Sequence, residues 1–391
     1  MLFAGNRNTS GSLNNVGSNG NWWSSSPSGS NAWRRNLNSG NSDVNRWTNS
    51  QANGNSVRCI LGLNLFFMQR SFVMNDWILK EEKNDITLYD IFLAYYRCRK
   101  NKRNKLDCLE FDLDYESNLI NLWEEIKKGD YEISPLSVFI VDKPVKREIF
   151  AATFRDRVVH HLIVMKLEPL FEKEFIYDSY SCRVGRGTHF GINRTKKFIR
   201  RCTNNYKEDA FVLKLDISGY FMSINKLILT KKLEKFIEDK YNHADNETLL
   251  WLCQKLLLNN PTLNCIRKSR KDKWIGLPNS KSLFYSKENC GLPIGNYTNQ
   301  VFANFYLNSF DHFVKSELNV KHYGRYVDDF LILSNDKQQI LTARNQIKIF
   351  LAEKLKMILH PKKQQIQPCH RGLSFVGYFI KPGGIMVRRN V

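Results

Sequence analysis

Two adjacent acidic residues interrupt an apolar stretch late in the sequence. The run from Tyr323 to Ser334 carries Asp328 and Asp329 at its centre, and Phe330 to Leu333 follow immediately. This pattern predicts a strand, a tight turn and a second strand, with both carboxylates at the turn. Adjacent carboxylates repel each other, and a divalent cation is a simple way to offset that repulsion. An exposed Asp-Asp hairpin turn is the alternative that this stretch alone leaves open.

A third carboxylate follows another strand pattern. Phe211 to Leu215 is a short apolar run typical of a buried strand, and Asp216 stands directly after it. A lone Asp at a strand end is usually a helix N-cap. Next to a hairpin with two more carboxylates, however, it can complete a site for two divalent ions. Such a pair of ions holds the attacking and the leaving oxygen of a phosphoryl transfer.

The charge of the chain favours a polyanionic partner. Lysine and arginine number 59 against 38 acidic residues, a formal net charge of +21. This excess bears on partners rather than on fold, and nucleic acid is the favoured class. No window of about 18 consecutive apolar residues occurs, so no membrane-spanning helix is expected. The nine cysteines have no disulfide-framework or zinc spacing, which favours a reducing cytoplasm.

Several short motifs follow one another in a fixed order across about residues 137–380. They are Lys143–Ile149, Phe154–Arg157, Arg183–Thr188, Asp216–Phe221, Gly291–Gly295 with Gln300, Tyr326–Asp329 and Gly372–Tyr378. Each is weak alone, but together, in this order and spacing, they resemble the motifs of a reverse transcriptase. The resemblance implies an RNA-directed DNA polymerase that binds an RNA template, a DNA or RNA primer and deoxynucleoside triphosphates.

The expected architecture is α+β, because helices and strands alternate without a regular βαβ order. The resemblance implies the fingers and palm of a right-hand polymerase, with an antiparallel sheet backed by helices. Eleven residues follow Ile380, so we expect the helical thumb to be absent or truncated. The patterns predict helices at 86–98, 119–128, 154–171, 227–258, 299–318 and 341–359, strands at 137–141, 211–215 and 373–380, and a loop at 266–288.

The resemblance also assigns the metal ligands. It implies that Asp216, Asp328 and Asp329 are catalytic and bind two Mg²⁺ ions, or Mn²⁺, with Ile217 contributing only its backbone carbonyl. Asp216 and Asp328 are expected to bridge the ions, and Asp329 is the weaker ligand. One ion would lower the pKa of the primer 3′-hydroxyl, and the other would stabilise the leaving pyrophosphate.

Further residues are implied to contact the nucleotide or the nucleic acid. Phe221 matches an aromatic wall that excludes a ribose 2′-hydroxyl, and Lys363 lies near a lysine that protonates pyrophosphate. The full nucleotide set is Phe221, Lys146, Arg147, Ile294, Gln300 and Lys363, and the nucleic-acid set is Arg155, Arg157, Arg183 and Arg186. For each of these cations a solvated surface role is the alternative.

The segment from Ile294 to Gln300 indicates a subclass. It resembles the aliphatic-Gly-x-x-x-Ser-Gln form of diversity-generating retroelement reverse transcriptases, except that Asn299 replaces the Ser. Those enzymes copy a template-repeat RNA, misincorporate opposite template adenines and act with a basic, helical accessory protein. A group II intron or retron-type enzyme of ordinary fidelity, or an inactive nucleic-acid-binding remnant, remains an alternative.

Residues 1–73 differ in composition from the rest of the chain. Asn, Ser and Gly dominate, and these turn formers predict coil, yet four tryptophans are too many for a plain linker. The stretch from Gly20 to Arg35 resembles a translated variable repeat, with Met74 as the functional start of the enzyme. A disordered tail and a fused lectin-like fragment are the alternatives. We therefore expect N-terminal helices and fingers at 74–205 and the palm at 206–391.

Overall fold

The structure is a computed structural model that describes residues 85–100 and 102–388 and, as backbone only, strands between residues 6 and 55. The chain forms two compact units, residues 1–81 and 82–391. No helix in the described residues is long and apolar enough to cross a membrane.

The first unit contains strands where coil was predicted. They are β1 (Asn6–Arg7), β2 (Leu13–Asn14), β3 (Asn19–Ser28), β4 (Asn31–Asn38), β5 (Val44–Ser50) and β6 (Gly54–Asn55). Strands β3, β4 and β5 form an antiparallel sheet in which Trp23 is paired with Arg34, and Arg34 with Trp47. The coil prediction is wrong for these strands. Strand preference depends on cross-strand neighbours, which composition does not reveal.

The second unit alternates helices and strands. In chain order its elements are α1 (Leu88–Arg99), α2 (Leu106–Asp112), α3 (Tyr115–Lys128), β7 (Ser137–Val141), β8 (Arg147–Ala151), α4 (Phe154–Glu174), α5 (Thr188–Cys202), β9 (Phe211–Ile217), α6 (Tyr220–Ser223), α7 (Lys226–Lys240), α8 (Asn246–Leu258), β10 (Ile266–Arg267), α9 (Tyr297–Tyr306), α10 (Asn308–His312), a π-helical turn (Phe313–Glu317), β11 (His322–Tyr326), β12 (Asp329–Ser334), α11 (Lys337–Lys354), β13 (Leu359–Pro368), β14 (Leu373–Phe375), β15 (Tyr378–Lys381) and β16 (Gly384–Val387). The α+β prediction is confirmed.

The four-stranded sheet has the order β11-β12-β9-β13, and all its neighbours are antiparallel. Side chains alternate between its two faces. On one face Leu213 and Leu215 join the large core that contains residues of α4, α9 and α11. On the other face Val212 joins a smaller core with residues of α5 and the β14–β15 hairpin. Lys214 and Asp216 alternate with the leucines and therefore share this second face.

A smaller sheet contains β7, β8 and β10. Strand β7 pairs antiparallel with β8 and parallel with β10. The loop predicted at 266–288 is confirmed apart from β10 and short 3₁₀ turns, which include Lys271–Trp274, Asn279–Lys281 and Leu283–Tyr285.

Several predicted elements have different bounds in the structure. The helix predicted at 299–318 is α9, α10 and the π-helical turn, and the strand predicted at 373–380 is the β14–β15 hairpin. The helix predicted at 227–258 is two helices, α7 and α8, because Tyr241 to Asp245 forms a turn in which the Tyr241 hydroxyl donates to Asp245 at 2.8 Å. Asn and Asp residues favour turns over helix interiors. The helix predicted at 341–359 is α11. Asp336 caps its start through the backbone N–H of Gln338, and Leu359 already belongs to β13.

Candidate active site

The three predicted catalytic carboxylates lie on neighbouring strands. Asp216 is the penultimate residue of β9, and Asp329 is the first residue of β12. The antiparallel register pairs these two residues directly with each other. Asp328 precedes Asp329 in the turn that follows β11. The strand-turn-strand pattern therefore forms as predicted, and it brings together acids that are more than 100 residues apart in the chain.

The turn that carries Asp328 has an unusual backbone. Val327 has φ of +56°, a left-handed conformation that a β-branched residue rarely adopts. The guanidinium of Arg325 donates to the carbonyl oxygen of Val327 at 2.9 Å. Arg325 is completely buried and forms an ion pair with the equally buried Asp311 at 2.5 Å. A fixed guanidinium beneath the site thus holds the strained turn in place.

Two of the carboxyl groups have strongly shifted acidities. Burial raises the pKa of Asp328 to about 6, and the negative charge of Asp216 adds to the increase. Burial also raises the pKa of Asp329 to about 6, against the opposing effect of the Lys214 ammonium. Crowded, partly desolvated carboxyl groups of this kind favour a bound cation, which restores their ionised forms.

Two lysines contact the carboxylates. Lys363 on β13 places its Nζ atom 2.7 Å from Asp216 Oδ2. Lys214 on β9 places its Nζ atom 3.0 Å from Asp329 Oδ2 and donates to the Ser374 carbonyl at 2.9 Å. The sequence analysis missed Lys214. Its position two residues before Asp216 in a predicted strand was the available signal, because such residues share one face.

The donor set fits a hard divalent cation. Asp216, Asp328 and Asp329 supply carboxylate oxygens, the ligands that Mg²⁺ prefers. The buried Oδ1 atom of Asp329 has no hydrogen-bond partner among the described residues and is free to act as a ligand. As they stand, no three His, Cys, Asp or Glu side chains in the described part of the chain enclose a common metal position. Ile217 follows Asp216 in β9, and its role as a carbonyl ligand stays a prediction.

Phe221 and Ile294 lie against the same part of the core, and contact of either with a nucleotide stays a prediction. Both pack against one apolar cluster that includes Phe150. The backbone N–H of Leu292 donates to the Phe221 carbonyl at 2.9 Å, and that of Phe150 donates to the Ile294 carbonyl at 2.7 Å. These bonds connect three segments, namely β8, the segment after Asp216 and the Gly291–Gly295 motif, which we call the middle motif.

The other residues predicted to contact the nucleotide have varied surroundings. Gln300 is exposed, and its Oε1 atom lies 3.8 Å from the Cys182 thiol. Arg147 is exposed at the start of β8. Lys146 instead donates to the Ile275 carbonyl at 2.8 Å, so it bridges to the 266–288 loop. Contact between these residues and a nucleotide stays a prediction.

The four predicted nucleic-acid-binding arginines are engaged within the protein. Arg183 forms hydrogen bonds with Glu172, and its side chain is only 3% exposed. Arg157 lies 2.6 Å from an oxygen of Asp107. Arg155 pairs with Glu125 and Asp156, and Arg186 stacks on Tyr177 and Phe190. These contacts give the arginines a structural role, and contact with nucleic acid stays a prediction for all four.

Comparison with known proteins assigns the family. The profile described as reverse transcriptase (RNA-dependent DNA polymerase) matches residues 141–380, more than half of the chain, and this span includes all three carboxylates. The chain belongs to the reverse transcriptase family. The predicted family and enzyme class are therefore confirmed.

This reverse transcriptase is similar to other proteins in sequence or in structure. Protein YkfC of Escherichia coli is 26% identical over 291 residues, which cover 66% of this chain and 69% of YkfC. Nuclear intron maturase 1 of Arabidopsis thaliana is 31% identical over 87 residues, 22% of this chain and 11% of the maturase. The telomerase structure from Candida tropicalis has 13% identity and a TM-score of 0.48, and the match covers 70% of this chain and 60% of the telomerase.

Proposed function

We propose that this reverse transcriptase belongs to a diversity-generating retroelement and copies a template-repeat RNA into cDNA with errors at template adenines. The observation that carries the proposal is the position of Ile294, which packs, as Phe221 does, against the apolar cluster that includes Phe150. Its side chain has no polar atom to offer a nucleotide, and its carbonyl is already bonded to Phe150. A site without that polar contact discriminates less between correct and incorrect pairs.

The chemistry at this site divides between bound ions and the chain. Asp216, Asp328 and Asp329 would hold two Mg²⁺ ions, which activate the primer 3′-hydroxyl and stabilise the leaving pyrophosphate. The chain supplies the remaining functions. Phe221 limits the space at the sugar, and Arg325 fixes the turn that carries Asp328. Lys363 places its amine next to Asp216 and can donate a proton to the leaving group.

The proposal extends to partners and organisation. We propose an RNA template, a DNA or RNA primer and a basic helical accessory protein as partners, in the cytoplasm. All eight cysteines among the described residues are free, in keeping with a reducing compartment. We further propose that residues 1–73 derive from a variable repeat, with fingers at 74–205 and palm at 206–391.

Primer extension with sequencing of the cDNA tests the function. The full chain is supplied with Mg²⁺, accessory protein and a defined RNA template, and Asp328→Ala serves as the inactive control. We expect errors concentrated at template adenines and fewer of them in Ile294→Gln. Ile275→Gln, which changes an exposed isoleucine, is the matched control and should leave the error spectrum unchanged.

Other results would select the alternatives. Faithful cDNA from the unmodified chain would place it with the intron or retron enzymes, a class to which the similarity to an intron maturase also points. An absence of synthesis with intact RNA binding would indicate a remnant.

A further inference from the structure

The basic loop, residues 266–288, has no role in the function described so far. Its cations outnumber its acids by seven to two. The cations are Arg267, Lys268, Arg270, Lys271, Lys273, Lys281 and Lys287, and the acids are Asp272 and Glu288. Such an excess on one exposed loop indicates an anionic ligand.

A buried carboxylate fixes this loop to β8. Glu148 is completely buried and accepts three hydrogen bonds from the basic loop. The donors are the indole N–H of Trp274 at 2.6 Å, the hydroxyl of Ser282 at 2.9 Å and the backbone N–H of Leu283 at 2.7 Å. Because a buried charge must be satisfied by donors, these three bonds hold the loop in one position.

The basic loop also packs against the segment that follows the catalytic aspartate. Gly219 has φ of +54°, and a Cβ atom there would lie 2.6 Å from the Ser280 carbonyl oxygen. Only glycine permits so close an approach. Gly219 is three residues from Asp216, so their Cα atoms are at most about 11 Å apart. The loop backbone at Ser280 therefore borders the site of phosphoryl transfer.

Lys281 lies between these two fixed points. Ser280 packs on Gly219 on one side, Ser282 bonds to Glu148 on the other, and the Lys281 backbone N–H donates to Pro278 at 2.8 Å. Its side chain is exposed, and among the described residues no carboxylate lies within salt-bridge distance. Lys146 and Lys363, in contrast, are already engaged by Ile275 and Asp216.

We infer that Lys281 binds the β- and γ-phosphates of the incoming deoxynucleoside triphosphate. The α-phosphate reacts at the carboxylates, so the remaining phosphates must extend away from them into neighbouring space. A lysine whose backbone is already fixed can bind these phosphates with little loss of backbone conformational freedom. The inference rests on polymerase activity and is independent of the fidelity of copying.

Steady-state incorporation with Lys281→Gln tests this role. We expect KM for the nucleotide to rise about tenfold, the scale of one charge-assisted contact. The constant for inhibition by pyrophosphate should rise in parallel, while kcat and the Kd for the primer–template stay unchanged. Lys281→Arg should retain the KM of the unmodified chain. The matched control is Lys268→Gln, an exposed lysine of the same loop whose backbone is held by Val138, and it should leave KM unchanged.

Nucleotide binding can also be measured without chemistry. A primer lacking its 3′-hydroxyl allows the Kd of the nucleotide to be determined in a complex that cannot react, so an error-free or inactive enzyme still tests Lys281. An unchanged nucleotide Kd in Lys281→Gln would overturn the inference. An equal loss in Lys268→Gln would overturn it too, as would a loss of primer–template affinity, which would identify the template strand as the ligand.

Discussion

Arg325 is the largest side chain that the described structure buries completely. Its guanidinium pairs with the Asp311 carboxylate and holds the Val327 carbonyl, and it also donates to the Asn304 carbonyl and the Ser179 hydroxyl. A buried charge is tolerated only while it is paired, so each partner depends on the other. In the sequence Arg325 is one basic residue beside a catalytic motif. The structure makes it the support of the turn that carries Asp328.

Arg325→Met should separate these two tasks. The unpaired Asp311 should lower the free energy of unfolding by about 3–5 kcal/mol. Adding Asp311→Leu should recover most of that loss in urea unfolding. Primer extension should stay low in the double variant, because the Val327 carbonyl still lacks its donor. Recovery of both properties would mean that Arg325 only neutralises Asp311.

His160 should make the protein sensitive to acid. Burial lowers its pKa to about 3, and its Nδ1 atom lies 2.6 Å from the Thr298 hydroxyl. The folded protein keeps this imidazole neutral, whereas the unfolded chain binds a proton near pH 6.5. Its contribution to stability is therefore full above pH 6.5 and is lost as the pH falls towards 3.

Urea unfolding at a series of pH values checks this expectation. His160→Asn should reduce the loss of stability with falling pH by about 1.4 kcal/mol per pH unit between roughly pH 6 and pH 4. His370→Asn, which changes an exposed histidine, is the matched control. An unchanged slope in His160→Asn would show that other groups govern acid unfolding.

At the scale of elements, the junction between β8 and the middle motif is closely packed. Gly295 has φ of +129°, and a Cβ atom there would lie 2.7 Å from the Phe150 carbonyl oxygen. The neighbouring Phe150 N–H donates to Ile294. This contact aligns Ile294 with the strand that also carries Glu148, the anchor of the basic loop. Ile294 and the basic loop therefore share one support, strand β8.

Gly295→Ala tests how closely this junction is fitted. Gly129→Ala is the matched control, because Gly129 has φ of +77° with open space around it and should cost only about 1 kcal/mol. Gly295→Ala should lose roughly 1–3 kcal/mol more, since the Phe150 backbone must move. It should also raise KM for the nucleotide. Equal losses of stability in the two variants would show that the junction yields easily.

At the scale of the whole molecule, most of the charge lies outside the first 73 residues. Only five of the 21 net positive charges fall within them. The two compact units divide near residue 81, and the family match begins at residue 141. A chain that starts at Met74 retains the carboxylates, the basic loop and the α7–α8 helix pair.

We expect the chain beginning at Met74 to polymerise and to bind RNA within about twofold of the full chain, because a compact unit keeps its own core. The logarithm of RNA affinity against that of salt concentration should have the same slope in both, since the slope counts phosphate contacts. A shallower slope in the shorter chain would assign RNA contacts to residues 1–73.

The sequence predicted well wherever short-range pattern decides structure. Short apolar runs identified β9 and the β11–β12 hairpin, and with them Asp216, Asp328 and Asp329, because the apolar run of a buried strand is a local pattern. Helix α1 was likewise predicted within two residues at its start and one at its end, and in the structure Thr87 caps it. Strand β13 was missed, since its residues at 360–365 are mostly polar, and only its first residue, Leu359, was included in a predicted helix.

Motif order in the sequence was sufficient to indicate the reverse transcriptase family, and short apolar runs were sufficient to place its carboxylates at the ends of strands. Only the tertiary structure showed the long-range contacts around these carboxylates. Lys214 donates to the Ser374 carbonyl, Lys363 donates to the Asp216 carboxylate, and Glu148 accepts hydrogen bonds from the basic loop. Each contact joins residues more than 100 positions apart. Contacts of this range depend on sheet register and loop packing, and no local pattern of side chains encodes them.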